Sequence, residues 1–250
     1  MGRKLRLLLL VPILVLAQLA FCQAAIAGDG WFGSYVRVSP WTNSRDIYVI
    51  CHAHFDPVAD GGETVGNMGW WINYISYSAS TVTPWDPVWT QVSSDPQGEV
   101  GQPASITAGT HLTVSKGQGT KHVYALYKVG IVNFNANEPI SPQYSDTTTL
   151  DTRPPVTYAP SSASGSKGTY IKLKFKVTDN LSPKARVVIK IKRGTTLKKT
   201  LKLGLRATGK LRSTSFKCDL PRGTYRFTVY ATDLAGNRAT TRGSNYLYVK

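Results

Sequence analysis

Beyond residue 170 the side chains alternate. Ile171, Leu173, Phe175 and Val177 are apolar, and Lys172, Lys174 and Lys176 stand between them. A strand sends successive side chains to opposite faces, so this run predicts a ribbon with one oily side and one cationic side. A helix would mix the two sets around its circumference. Val187, Ile189 and Ile191 repeat the pattern beside Lys190 and Lys192. Further strands are expected over Leu197–Leu203, Leu211–Cys218, Tyr225–Ala231 and Tyr246–Val249, with turns at Pro221-Arg222-Gly223 and Ala235-Gly236-Asn237. Short alternating strands between turns predict a β-sandwich.

The first half is also β in pattern. Ile47, Val49, Cys51, Ala53 and Phe55 share one strand face, and Trp71–Tyr77 reads as a second strand. Ile106–Val114 and Lys121–Val129 are expected to form a hairpin around Gly117-Gln118-Gly119. Between the halves lies Asp151-Thr152-Arg153-Pro154-Pro155, through which no sheet ladder runs, because proline lacks a backbone donor. Ser161-Ser162-Ala163-Ser164-Gly165-Ser166 continues as a loose leader. The expected organisation is a Trp-rich domain over 28–150, a Pro/Ser-rich linker over 151–166 and a basic domain over 167–250. The 250 residues suffice for two such cores.

The opening residues belong to neither domain. Arg3, Lys4 and Arg6 precede an apolar stretch from Leu7 to Phe21, and Ala25-Ile26-Ala27 supplies small residues before Gly28. This is the pattern of a secretory signal peptide over 1–27, and it predicts a secreted, extracellular or cell-surface protein without a transmembrane segment in the mature chain. Lipidation of Cys22 is disfavoured because the bulky Phe21 precedes it. Cys51 and Cys218 then remain, in different domains; two buried thiols are expected, although spacing does not exclude a bridge.

Charge divides the chain. Residues 28–155 carry 6 Lys or Arg against 11 Asp or Glu, a net of −5. Residues 156–250 carry 21 against 3, a net of +18. Such asymmetry points to a polyanionic partner for the second half.

Tyr230-Ala231-Thr232-Asp233-Leu234-Ala235-Gly236-Asn237 resembles the A-x-D-x-A-G-N ending of bacterial Ig-like modules, with Leu220-Pro221-Arg222-Gly223-Thr224-Tyr225 before it. Asp151-Thr152-Arg153-Pro154-Pro155 looks like the D-T-x-P-P linkers of tandem modules. More faintly, Trp41-Thr42-Asn43, Ile75-Ser76-Tyr77 and Gly119-Thr120-Lys121-His122-Val123-Tyr124 follow the order of another such repeat, with long inserts and no A-G-N turn. The resemblance implies an all-β fold of two Ig-like sandwiches in tandem and an extracellular architectural or binding role. It implies no activity, since one fold hosts many functions.

Several groups of residues carry side chains of catalytic or metal-binding type. His52-Ala53-His54-Phe55-Asp56 opens like a zinc-hydrolase signature, but Pro57 stands where the next histidine should be. Two histidines on a solvated strand face need no metal, so the zinc-hydrolase reading ranks third. Asp56, Asp60 and Glu63 read as solvated loop acids rather than a glycosidase pair. Calcium at Asp233 is disfavoured, because the second half offers only Asp179, Asp219 and Asp233. The expectation is therefore no catalytic residue, no metal and no cofactor. Trp85 and Trp89, in a Pro-rich loop, fit core packing and glycan or partner binding equally well, whereas Trp41 is expected in the core. A carbohydrate-binding module built on Trp85 and Trp89 is the alternative function.

The leading candidate site is basic. If the strands of Lys172, Lys174 and Lys176 and of Lys190 and Lys192 pair, five ammonium groups line one sheet face. That face would attract an anionic cell-envelope polymer or a surface protein; solubility and protection of sheet edges are the plainer explanation. Nucleic acid is not expected, given export and no aromatic–basic interleaving in the second half.

Overall fold

The computed structural model describes residues 31–56, 70–78, 90–91, 104–131 and 141–250. The signal peptide expected over 1–27, Trp85, Trp89, Asp60 and Glu63 lie outside the described residues. The architecture is all-β, two sandwiches in tandem with one shared topology.

The first sandwich contains β1 (Tyr35–Val38), β2 (Trp41–Thr42), β3 (Asp46–Phe55), β4 (Trp70–Ser78), β5 (Thr90–Gln91), β6 (Ala104–Thr113), β7 (Gly119–Ile131) and β8 (Tyr144–Leu150). One sheet runs β1-β3-β6 and the facing sheet β2-β8-β7-β4-β5. The second contains β9 (Val156–Tyr158), β10 (Ala163–Gly165), β11 (Tyr170–Thr178), β12 (Lys184–Arg193), β13 (Thr196–Ala207), β14 (Leu211–Lys217), β15 (Gly223–Thr232) and β16 (Ser244–Val249). Its sheets run β9-β11-β14 and β10-β16-β15-β12-β13. Strand for strand the two orders coincide, down to a short strand pairing parallel with the last one: β2 with β8, β10 with β16. This is the Greek-key arrangement of Ig-type sandwiches.

Two expectations about the course of the chain are corrected. β6 and β7 do not form a hairpin. β6 pairs with β3, β7 pairs with β4 and β8, and Gly117-Gln118-Gly119 carries the chain from one sheet to the other. Gly117 and Gly119 hold φ of 87° and 105°, which suits a reversal that leaves its sheet. The linker is also shorter than 151–166, because β9 and β10 fall inside that stretch as edge strands of the second sandwich. Three-residue edge strands need few side chains to hold them, so composition alone makes them look like leader.

Alternation builds both cores. Ile47, Val49, Cys51, Ala53 and Phe55 are buried on β3, as are Ile171, Leu173, Phe175 and Val177 on β11 and Val187, Ile189 and Ile191 on β12. Each large side chain so buried contributes about 1.5–3 kcal/mol. Trp31, not Trp41, plugs the first core: it is buried against Phe55, ring centroids 4.9 Å apart, whereas Trp41 is half-buried on β2. The Tyr127 hydroxyl ties the two layers by donating to Tyr35 O at 2.7 Å. In the second sandwich the Tyr225 hydroxyl donates to Pro221 O at 2.7 Å, the tyrosine-corner contact of Ig-type folds. Cys51 and Cys218 are free thiols, one in each core.

Candidate functional site

The five lysines do not share a face. β11 pairs with β14 and β9, while β12 pairs with β13 and β15 in the opposite sheet. Both strands bury their apolar residues inward, so their lysines point outward in opposite directions. Lys172, Lys174 and Lys176 lie on the three-stranded sheet, across from Ser215, Ser213 and Leu211. Lys190 and Lys192 lie on the five-stranded one.

The five-stranded sheet gathers more than those two lysines. Register places Lys202, Val188 and Tyr230 in one row across β13, β12 and β15. Two residues along, Thr200, Lys190, Thr228 and Ser244 align, and beyond them Leu197, Lys192, Arg226 and Tyr246. Thr224 and Tyr248 extend the face toward its far corner. Tyr230 has cations at its ring, Lys190 Nζ 5.0 Å and Arg242 Cζ 4.9 Å from the centroid. Tyr246 and Tyr248 stack with centroids 6.1 Å apart and remain 52% and 42% exposed. Aromatic and basic residues thus interleave in space, where the linear order showed no such interleaving.

No acid shares that face. The second half holds only three: Asp219 bonds Lys199 Nζ at 2.7 Å, while Asp179 and Asp233 sit in the turns after β11 and β15. Arg226 instead points Nε and Nη2 at Ser244 Oγ, at 3.0 and 2.6 Å. It stands directly opposite Lys192 on the neighbouring strand. Like charges so placed weaken a sheet by a few tenths of a kcal/mol, a cost that a bound anion would relieve. Four strands span roughly 14 Å at ~4.8 Å spacing, so the face is broad and flat rather than pocketed.

The histidines find ordinary partners. On the outer face of β3, His52 Nδ1 lies 2.8 Å from Thr107 Oγ1 and His54 Nδ1 2.6 Å from Ser105 Oγ, both across the ladder to β6. Tyr35 stacks on His52 at 4.9 Å. Partial burial, then the neighbouring His54 and Arg37, lower the His52 pKa. His111 pairs with Asp46 at 3.0 Å. These rings are occupied by the sheet and converge on nothing.

Convergence of metal-capable groups occurs elsewhere. One oxygen from each of Asp151, Asp179 and Asp233 lies within 4.8 Å of the other two. In sequence, calcium at Asp233 is disfavoured because the second half offers only Asp179, Asp219 and Asp233, and Asp151 falls in the expected linker. The fold brings a different trio together: the exits of β8, β11 and β15 meet where the sandwiches join, and Asp219 stands apart beside Lys199. Desolvation, opposed by the Arg153 backbone N–H and reinforced by the two neighbouring carboxylates, raises the Asp151 pKa.

No protein-family model matches the chain, and no curated protein matches it. Among solved structures it is similar to the PKD domain of an M14-like peptidase from a Thermoplasmatales archaeon, at 23% identity and a TM-score of 0.28, covering 38% of this chain and 92% of that one. It is similar to the FN1–FN3 domains of chicken CNTN1, at 11% identity and a TM-score of 0.40, covering 85% and 66%. A tetra-tandem repeat in the extending region of a large adhesion protein gives 15% identity and a TM-score of 0.30, covering 86% and 48%.

Proposed function

We propose that the protein is a non-catalytic extracellular binding protein whose C-terminal sandwich docks on an anionic cell-envelope polymer through the outer face of its five-stranded sheet. The observation that carries this reading is the gathering of Lys190, Lys192, Lys202, Arg226 and Arg242 around Tyr230, Tyr246 and Tyr248 on a face that no acid shares. Spread cations suit a repeating polyanion better than a small anion, which would want donors converging on one point. Exposed tyrosine rings suit a polymer with sugar faces to stack on. Secretion, expected from the leader, places such polymers within reach and nucleic acid out of it.

The test compares two triple charge reversals with equal net change. Lys190→Glu/Lys192→Glu/Arg226→Glu alters the five-stranded face; Lys172→Glu/Lys174→Glu/Lys176→Glu alters the three-stranded one. Retention on isolated cell walls is measured at about 0.05 M and about 0.5 M salt. The expected result is strong retention at low salt, loss at high salt, and loss at both after the first reversal but not after the second. Equal loss in both variants would leave only bulk charge, and salt-independent retention would remove the electrostatic reading altogether.

A further inference from the structure

Where the sandwiches join, three carboxylates meet with too few partners. Asp151 is 0% exposed and Asp233 6%. Asp151 Oδ1 accepts from Arg153 N at 3.0 Å, and Asp179 Oδ1 accepts from Leu181 N and Ser182 N at 3.0 and 2.7 Å. Asp233 Oδ1 and Oδ2 accept from Asn237 N and Nδ2, each at 2.8 Å. Asp151 Oδ2 and Asp179 Oδ2 are shielded from solvent and have no hydrogen-bond partner. A buried carboxylate oxygen in that state is unfavourable unless a positive charge meets it. Yet in a chain with 30 Lys and Arg, no ion pair among the described residues reaches any of the three.

We propose that Asp151, Asp179 and Asp233 bind a hard divalent cation, calcium, that clamps the two sandwiches together. The donor set is all oxygen, without the nitrogen or sulfur that zinc favours. Oxygens up to about 5 Å apart can share one calcium ion at its usual 2.3–2.6 Å, and the three lie within 4.8 Å of one another. Among the described residues, the two buried carboxylate oxygens without a partner both belong to this cluster, so the ion would complete them. Asp151 also ties the two sandwiches through its backbone. Its N–H donates to Thr42 O in the first sandwich at 2.9 Å, and its carbonyl accepts from Asn237 Nδ2 in the second at 2.7 Å. Gln118 bridges nearby, accepting from Asn180 Nδ2 at 2.6 Å and donating to Thr152 Oγ1 at 3.1 Å. An ion held by one carboxylate of the junction and two of the second sandwich fixes the angle between them.

The competing account is that the carboxyl groups share a proton and bind nothing. Purified protein stripped with a chelator is titrated calorimetrically with calcium chloride and, in parallel, magnesium chloride, and melted with and without each. The proposal expects one calcium per chain, and a melting temperature raised by about 5 °C or more at a hundredfold excess over Kd. Asp179→Asn, at the less buried rim, should weaken calcium affinity at least tenfold while far-ultraviolet circular dichroism stays native. Asp151→Asn should abolish binding if it folds. Absence of both heat and a melting shift in the folded wild-type protein overturns the site. So does wild-type affinity in Asp179→Asn, which would put the ion elsewhere. An equal magnesium response overturns the assignment to calcium.

Discussion

The Cys51 thiol sits on the inner face of β3, between Val49 and Ala53. Burial raises its pKa from 9.0 to about 11, although a hydrogen bond with the Tyr127 side chain opposes the rise. Two pKa steps cut the thiolate fraction at pH 8 by roughly a hundredfold, and the thiolate is the reactive form. Cys218 is equally buried in the other core. Native protein at pH 8 is therefore expected to leave a chromogenic disulfide reagent unconsumed over minutes, while guanidinium releases both thiols at once. Fast reaction of either in native buffer would contradict this burial. Strand parity made the position readable: Cys51 must face inward if His52 and His54 face outward. The hydroxyls of Thr107 and Ser105 that engage those histidines were not readable, because ladder register lies between strands more than fifty residues apart.

At the scale of the element, long alternating strands announced themselves and short edge strands did not. β11, β12 and β15 bury every second residue, and their bounds lie within a few residues of the apolar pattern. β9 has three residues, pairs with β11 and is tied further by one side chain. Thr157 Oγ1 donates to Val229 O at 2.9 Å and accepts from Gly243 N at 2.9 Å. That close approach explains a glycine no turn requires: a Cβ on Gly243 would press into the backbone of Tyr158 and Ala159. Gly243→Ala should cost about 1–3 kcal/mol, because the backbone in its way cannot rotate aside. Thermal melting checks it, and a melting temperature within a degree of wild type would mean that β9 is not held there. The basic face failed for the same reason as the edge strands. Two lysine-bearing strands with similar patterns suggested pairing, but the pattern fixes which side faces inward and is silent on which sheet each strand joins. The junction carboxylates were missed because they come from three strand exits.

Over the whole molecule, the two modules share a topology and differ in charge, −5 over residues 28–155 and +18 over residues 156–250. Cations on both outer faces of the second sandwich repel one another without acids to offset them. Added salt should screen that repulsion and stabilise this module, while the mildly acidic first module changes little. All six tryptophans lie before residue 90, so tryptophan fluorescence reports the first sandwich alone, while far-ultraviolet circular dichroism reports both. Melting the chelator-treated protein with both probes should therefore separate the modules without cutting the chain. Between about 0.02 and about 0.3 M salt, the dichroism transition without a fluorescence counterpart is expected to move up by about 3 °C or more, and the fluorescence transition to stay. Parallel movement of both would mean that the sandwiches unfold as one unit even without an ion. A second transition indifferent to salt would mean that the lysines are spaced widely enough not to repel. The electrostatic strain inferred for the Lys192–Arg226 face would then be too small to favour an anionic partner.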